Sequence, residues 1–354
     1  MRKKLLIIDG SSMLTTAYYA LLPNEIRFCK VPEERARYFD KILHAKNGTY
    51  TNAVYGMTRQ LLMLMDGWKP DYLAVMFDKT RSTFRRRLYA DYKAQRKETD
   101  LPLKEQFLTM EKILADSGIP VFFSDNYEAD DLAGTMAEKY AKDMQVILVS
   151  KDKDYLQLVD DSRNIQVWMP EDAKNTDSPG KTDAFRNGRP EENEMFPAYT
   201  RHYQIYTEDD VCRRMHVTPK LVPDLKAIEG DSSDNIPGVK GVSSAAAPLV
   251  MEYGGVTGLY KAIEACQGDT KWEKELVSFW KDELGITRSP LNALKAQYDR
   301  AMLFRELATI RTRCPEILRY DLLKHPVFDI RKDVFNDHMR CLLYTSPSPR
   351  DATL

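Results

Sequence analysis

No apolar run in this 354-residue chain is long enough to cross a bilayer, so a membrane span is excluded from the reading. Cysteine is scarce: Cys29, Cys212, Cys266, Cys314 and Cys341 are odd in number, widely scattered, and without CxxC spacing. That pattern implies neither a disulfide framework nor a zinc site. Net charge is also nearly absent, at −1, so global electrostatics predict no polyanionic partner. The opening MRKKLLIIDG is basic, but its apolar stretch is too short for a signal peptide and reads as a first strand of a cytoplasmic protein. With 43% hydrophobic and 30% charged residues, the chain is globular and long enough for one large domain or two smaller ones.

What the chain does have is clustered acid. Nine carboxylates fall in five groups: Asp9; Asp78; Glu128, Asp130 and Asp131; Asp152 and Asp154; Asp231 and Asp234. Nearly every group follows a short apolar run, as in LLIID, YLAVMFD, VFFSDNYEADD and QVILVSKDKD. Runs of strand length separated by helical stretches predict an α/β fold with a mostly parallel sheet covered on both faces. Ligands bind at the carboxyl ends of such strands, and the acids sit there. A lone aspartate, such as Asp125 or Asp224, is ordinarily a turn or a helix cap. A nest is different, because like charges within a few Å repel and raise their own pKa values unless a cation joins them. All-oxygen donors favour Mg²⁺ or Mn²⁺ over Zn²⁺.

Directly after Asp78 the chain reads KTRSTFRRRLYADYKAQRK, with Lys79, Arg81, Arg85, Arg86, Arg87, Lys93, Arg96 and Lys97 against the single acid Asp91. Such a block is ordinarily a solvated helix face. Beside an acid nest it makes sense as a holder of phosphates that brings a polyanion to bound metals. Phe84, Tyr89 and Tyr92 are interleaved and suit either stacking on unpaired bases or core packing.

Along the chain, Ser11 is placed to cap a helix through about Leu22, and residues 23–48 read as polar and irregular. Helices are predicted over 51–66 and 103–117, the latter ended by Gly118 and Pro120. Residues 169–201, rich in Pro, Gly, Asn and charge, read as an inserted surface loop. Helices resume near Thr207 and Thr218; IEGDSSDN follows, then IPGVKGV makes two glycine turns and a helix continues from Ala245 to Met251. The backbone N–H groups of such a hairpin can hold a phosphate without reading bases. The predicted division is an α/β domain over 1–205 and a helical subdomain over 206–338, with the hairpin at about 224–253. The final stretch, 339–354, ends in CLLYTSPSPRDATL, resembles translated sequencing-adapter read-through, and is set aside as a non-native or disordered tail. The natural protein is expected to continue beyond about His338.

Taken in order, IIDGSSMLTTAYYA, TNAVYGMTRQLLML, AVMFDKTRSTFRRRLYADYKAQR, YEADDLAGTMA, VSKDKDYLQL and LKAIEGDSSDNIPGVKGV resemble the 5′ nuclease, or flap endonuclease, family. The likeness is greatest to the N-terminal 5′-to-3′ exonuclease domain of bacterial DNA polymerase I and covers residues 4 to about 255. YEADD followed by GDSSDNIPGVKG is highly specific. The resemblance implies a PIN-like 5′ nuclease fold with a helical arch over about 79–117 and a C-terminal helix-hairpin-helix. It implies a structure-specific 5′-to-3′ exonuclease or 5′-flap endonuclease that hydrolyses DNA phosphodiesters in replication and repair, with two Mg²⁺ ions, or Mn²⁺ in their place. Asp9, Asp78, Glu128, Asp130 and Asp131 would form one metal group, and Asp152, Asp154, Asp231 and Asp234 the second. Of these, Asp9, Asp78, Asp131 and Asp152 are the acids expected to be catalytic. Lys93 and Arg96, in the YKxxR pattern, would contact the scissile phosphate, Tyr89 and Tyr92 would stack on a flipped base, and Arg81 and Arg85 would steer the strand. Gly238, Lys240, Gly241 and Ser243 would grip duplex, with K⁺ an expected ion at the hairpin. The implied partner is DNA with a 5′ flap, nick or 5′ end, bound by a monomer that is fused to a DNA polymerase or acts beside one.

One departure is local: the family follows the second glycine turn with Gly-x-Lys-Thr-Ala, whereas this chain has Val242, Ser243, Ser244 and Ala245. The grip should then fall to Lys240 and backbone amides. Three other readings compete with this one. A doubly wound phosphatase with an aspartyl nucleophile needs a second Asp where Ser11 stands. A PIN-type ribonuclease shares the sheet and acids but lacks the hairpin. A non-catalytic branched-DNA-binding module should have lost metal acids, and none is lost.

Overall fold

The computed structural model describes residues 2–170 and 203–343. Six strands, β1 (Lys3–Asp9), β2 (Tyr72–Met76), β3 (Val121–Phe122), β4 (Met144–Val149), β5 (Ile165–Pro170) and β6 (Tyr203–Tyr206), form one sheet in the order β3-β2-β1-β4-β5-β6. The first five are parallel, and β6 pairs antiparallel with β5. Strand order reverses around β1, so the carboxyl ends of β1 and β4 flank a crevice of the kind where open α/β sheets bind ligands.

The unbroken apolar runs follow from burial on both faces. Leu5 and Ile7 join Val146, Leu148 and the Ala129–Tyr140 helix on one face. Leu6 and Ile8 join Val75, Ile147 and the helices Gly10–Ala20, Asn52–Trp68 and Leu101–Asp116 on the other. Each such side chain contributes about 1.5–3 kcal/mol on burial, so the strand that ends at Asp9 is firmly anchored. The first core continues into the helical region through Leu225, Ile228, Leu249 and Phe304.

Several boundaries differ from expectation. Asp9 itself caps the first helix, accepting from the Ser12 backbone N–H at 2.9 Å, while the Ser11 hydroxyl accepts from the Asp78 N–H at 2.8 Å. Gly10 between them is required by a close approach: a Cβ there would lie 2.6 Å from the Phe77 ring and push two acid-bearing strand ends apart. Residues 23–48 contain a helical turn, Asn24–Arg27, and a 3-10 segment, Pro32–Lys41. The Leu101–Asp116 helix, inside the 79–117 span expected as an arch, buries Leu103, Met110, Ile113 and Leu114 against the sheet layer. Met169 and Pro170 end β5, where they pair with Gln204 and Tyr203 of β6, and the rest of the loop expected over 169–201 lies outside the described residues. The Lys332–Leu343 helix buries Phe335, Met339 and Leu342 at helical spacing, so the fold runs past 338 and the tail boundary moves. Among the described residues no helix is long and apolar enough to cross a membrane.

Candidate active site

Each acid group is delivered by a different local device. Asp9 ends β1 and Asp78 follows β2. Glu128 caps the Ala129–Tyr140 helix, whose first turn carries Asp130 and Asp131. Asp152 caps the 3-10 turn Lys153–Leu158 after β4, and Asp154 lies inside it. Asp231 and Asp234 occupy the loop after the Val222–Glu229 helix, closed by paired backbone bonds between Asp231 and Ile236.

The structure brings these acids to one edge of the sheet but divides them by their partners. Burial, then the charge of Asp78, pushes Asp9, 6% exposed, up to about 7, despite hydrogen bonds from Ser150 at 2.6 Å and Ser12. Burial and Glu128 raise Asp78, whose side chain still meets solvent, and burial and Asp131 hold Asp130 well above the usual carboxylate range. Among the described residues no basic side chain lies within ion-pair distance of Asp9, Asp78, Asp130 or Asp152.

The other five acids are paired. Glu128 would be raised by burial, but Lys93, 2.5 Å away, and Arg85 outweigh that and bring it down to about 2. Asp234 takes Arg96 at 2.9 Å and the Tyr92 hydroxyl at 2.9 Å. Lys226 joins Asp154 to Asp231 and, against the effect of burial, brings Asp231 down to about 2. Asp131, fully buried, receives both arms of Arg85 at 2.6 and 2.7 Å, together with the backbone N–H groups of Glu128 and Arg311.

Lys93 and Arg96 therefore stand against the acids, at the tip of a loop clasped to the 231–235 segment. The Lys93 N–H donates to the Asp234 carbonyl at 3.0 Å, Gln95 donates to Ser232 and Ser233, and Asn235 donates to Asp91. Lys93 holds φ at +54°, a left-handed conformation that costs a non-glycine residue free energy and persists only when its surroundings fix it.

Two residues expected to meet DNA do not face solvent. Arg85 is 1% exposed and also donates to the Leu307 and Thr309 carbonyls, so it ties the acid-bearing helix to the C-terminal region instead of steering a strand. Tyr92 is 3% exposed, its ring in the core and its hydroxyl on Asp234, which leaves no face for a base. Tyr89 is half-buried against Phe304, and Arg81 is exposed but folded onto the Arg96 and Lys97 carbonyls. At the hairpin, Gly238 (φ +67°) is required because the turn crosses the 228–230 backbone, where a Cβ would lie 2.5 Å from the Gly230 nitrogen. The Lys240 N–H is already taken by Gln297 at 3.1 Å, so it is not a free phosphate donor as expected. Gly241 and Ser243 both have positive φ and lie exposed.

Sequence reasoning missed Lys226, Gln297, Ser150 on Asp9, and Thr83, which donates to Glu128 at 3.0 Å. A usable signal existed only for Lys226, a lysine among the buried residues Leu225, Ala227 and Ile228.

The donors are all carboxylate oxygens, three of the carboxyl groups have raised pKa values, and the buried Tyr155 hydroxyl beside Asp9, Asp78, Asp130 and Asp152 has no hydrogen-bond partner among the described residues. These residues fit a hard divalent cation. Among the described residues no three His, Cys, Asp or Glu side chains are already drawn into a ligating cluster, as mutual repulsion would have it.

The chain matches the family model for the 5′-3′ exonuclease N-terminal resolvase-like domain over residues 4–186 and that for the 5′-3′ exonuclease C-terminal SAM fold over residues 217–330. It is 32% identical over 311 residues to a 5′-3′ exonuclease of Aquifex aeolicus, covering 83% of this chain and 90% of that protein. It is 30% identical over 316 residues to DNA polymerase I of Streptococcus pneumoniae, covering 89% of this chain but only 29% of the polymerase. The T5 D15 protein co-crystallized with metal ions superposes with a TM-score of 0.55 at 19% identity, covering 96% of this chain and 99% of that one, a likeness of fold. The bacteriophage T5 D15 flap endonuclease in complex with DNA and metal ions does so with a TM-score of 0.54 at 18% identity, covering 96% of this chain and 99% of that one.

Proposed function

Since the chain belongs to the 5′-3′ exonuclease family, we propose that it is a structure-specific 5′ nuclease that hydrolyses DNA phosphodiesters beside a 5′ flap or end by a two-metal-ion mechanism. The observation that carries this reading is the placement of acids without ion-pair partners among the described residues, Asp9, Asp78 and Asp130, with Lys93 and Arg96 at the facing edge. Asp9, Asp78, Asp130 and Asp152 would hold the cations together with acids released by their present partners. Divalent cations held there would lower the pKa of an attacking water and neutralise charge on the departing oxygen. Lys93 would exchange Glu128 for the phosphate and place its charge where the phosphoryl oxygens gain charge. Arg96, half-exposed beside Asp234, would hold the neighbouring phosphate. Ser150 and Ser12 orient Asp9, and Thr83 orients Glu128. The place of action would be replication and repair, as a monomer beside or fused to a polymerase, as the polymerase I relatives suggest.

The test is cleavage of a 5′-flap duplex with Mg²⁺ and with EDTA. Release of the flap in Mg²⁺ alone is expected. Absence of any metal-dependent product would sink the proposal, and mononucleotides released from RNA alone would favour a ribonuclease.

A further inference from the structure

Asp154 and Asp231 come from elements far apart in the chain, a 3-10 turn after β4 and the loop that precedes the hairpin. One side chain joins them. The Lys226 ammonium lies 2.6 Å from Asp231 and pairs with Asp154, on a side chain only 10% exposed. A buried lysine amid the packed residues of a helix costs desolvation, and here the two carboxylates offset it. Ammonium is a compact charge on a flexible stem, able to leave by rotamer change, whereas the planar Arg85 fork on Asp131 is fixed by two further bonds, to the Leu307 and Thr309 carbonyls. The same two carboxylates belong to the acid group expected to take a divalent ion, and a divalent charge bound to them repels an ammonium held on the same groups.

We infer that Lys226 is a resident counter-ion of the second acid group, holding Asp154 and Asp231 together until a divalent cation displaces its ammonium. The inference rests on the metal reading above. It makes Lys226 a positioning residue: it keeps a loop acid and a sheet-edge acid in register while no ion does so, and it sets a threshold that a metal must overcome. A cation that carries two charges into the place of one wins at sufficient concentration, so occupancy of the second group should be weaker than that of the first.

The experiment measures Mn²⁺ binding to the full chain without DNA, by calorimetry and by EPR of free Mn²⁺. Lys226→Met should tighten the weaker binding event by about tenfold, because a competing positive charge is gone. Lys226→Arg, which keeps the charge, should not tighten it. Unchanged or weakened binding in folded Lys226→Met would overturn the inference, since a merely structural lysine gives that result. If Lys226→Met does not fold, reductive methylation of the parent decides: the Lys226 amine should label faster in Mg²⁺ than in EDTA, and equal labelling overturns the inference. A parent that binds no Mn²⁺ at all would remove the metal reading itself; binding that ignores residue 226 would remove only this step.

Discussion

The strand-end acids and the loop acids are of the same residue type yet resolve their repulsion in opposite ways. Asp9 and Asp78 sit at the ends of central strands whose backbones are fixed by fully buried Leu5 to Ile8 and Tyr72 to Met76, so neither can retreat. Their pKa values rise instead. Asp231 and Asp234 sit on a loop, within reach of Lys226, Lys93 and Arg96, and Asp231 falls to about 2. A rigid edge keeps its electrostatic conflict for a ligand to relieve, whereas a loop recruits side chains and relieves it early.

Asp131 breaks this division, and the largest expected effect comes from it. By sequence it belongs with Asp9, but Arg85 makes it a buried structural pair. Arg85→Met leaves that carboxylate without its cation and should cost about 3–5 kcal/mol in urea unfolding. Adding Asp131→Leu should restore only part of the loss, because the unpaired charge is gone but the Glu128 and Arg311 N–H groups lose their acceptor. A loss under about 1 kcal/mol would return Asp131 to the exposed acids and their metal.

The pH dependence of the metal-free protein compares the groups directly. Asp9 stands near 7 when folded and near about 4 when unfolded, so the folded state binds more protons between those values and stability falls as pH rises through them. Glu128 and Asp231, near 2 when folded, contribute stability above about pH 4 that is lost as pH falls toward 2. In EDTA the melting temperature should therefore peak at about pH 4–5 and decline by the equivalent of a few kcal/mol toward neutrality. Mg²⁺ should raise it far more at about pH 7.5 than at about pH 5. A melting temperature that climbs steadily from about pH 4 to 8 in EDTA would show that Asp9 is not in conflict with its neighbours.

The strands and their terminal acids were legible because both are local: an apolar run of strand length and the residue that ends it. Partners were not. Arg85, Arg86 and Arg87 are adjacent in one basic run, yet only Arg85 turns inward, a choice made by Asp131 and by carbonyls at 307 and 309. Tyr92 reads as a stacking ring until Asp234, 142 residues away, accepts its hydroxyl. The Phe335, Met339 and Leu342 spacing was visible but overshadowed by the Ser/Pro-rich composition that follows it.

The smallest effect sharpens the comparison from the loop side, where the Asp231 loop is closed by its own bonds to Ile236 and the hairpin by a separate clasp. Gln297 accepts from the Lys240 N–H and donates to the Lys240 carbonyl, each at 3.1 Å, clasping the hairpin to the residue just before the Tyr298–Ala308 helix. Both bonds are near the surface, where water replaces most of what is lost. Gln297→Ala should therefore cost only about 1 kcal/mol in unfolding, near the net worth of one hydrogen bond. Its clearer signature is local: exchange of the Lys240 amide hydrogen should accelerate roughly tenfold, while that of Asp231, bonded to the Ile236 carbonyl at 2.7 Å, should not change. Acceleration at both amides would mean that the loop acids are held by the hairpin as a whole. Acceleration at neither would mean that the clasp is absent in solution, leaving the Lys240 N–H free to meet a phosphate after all.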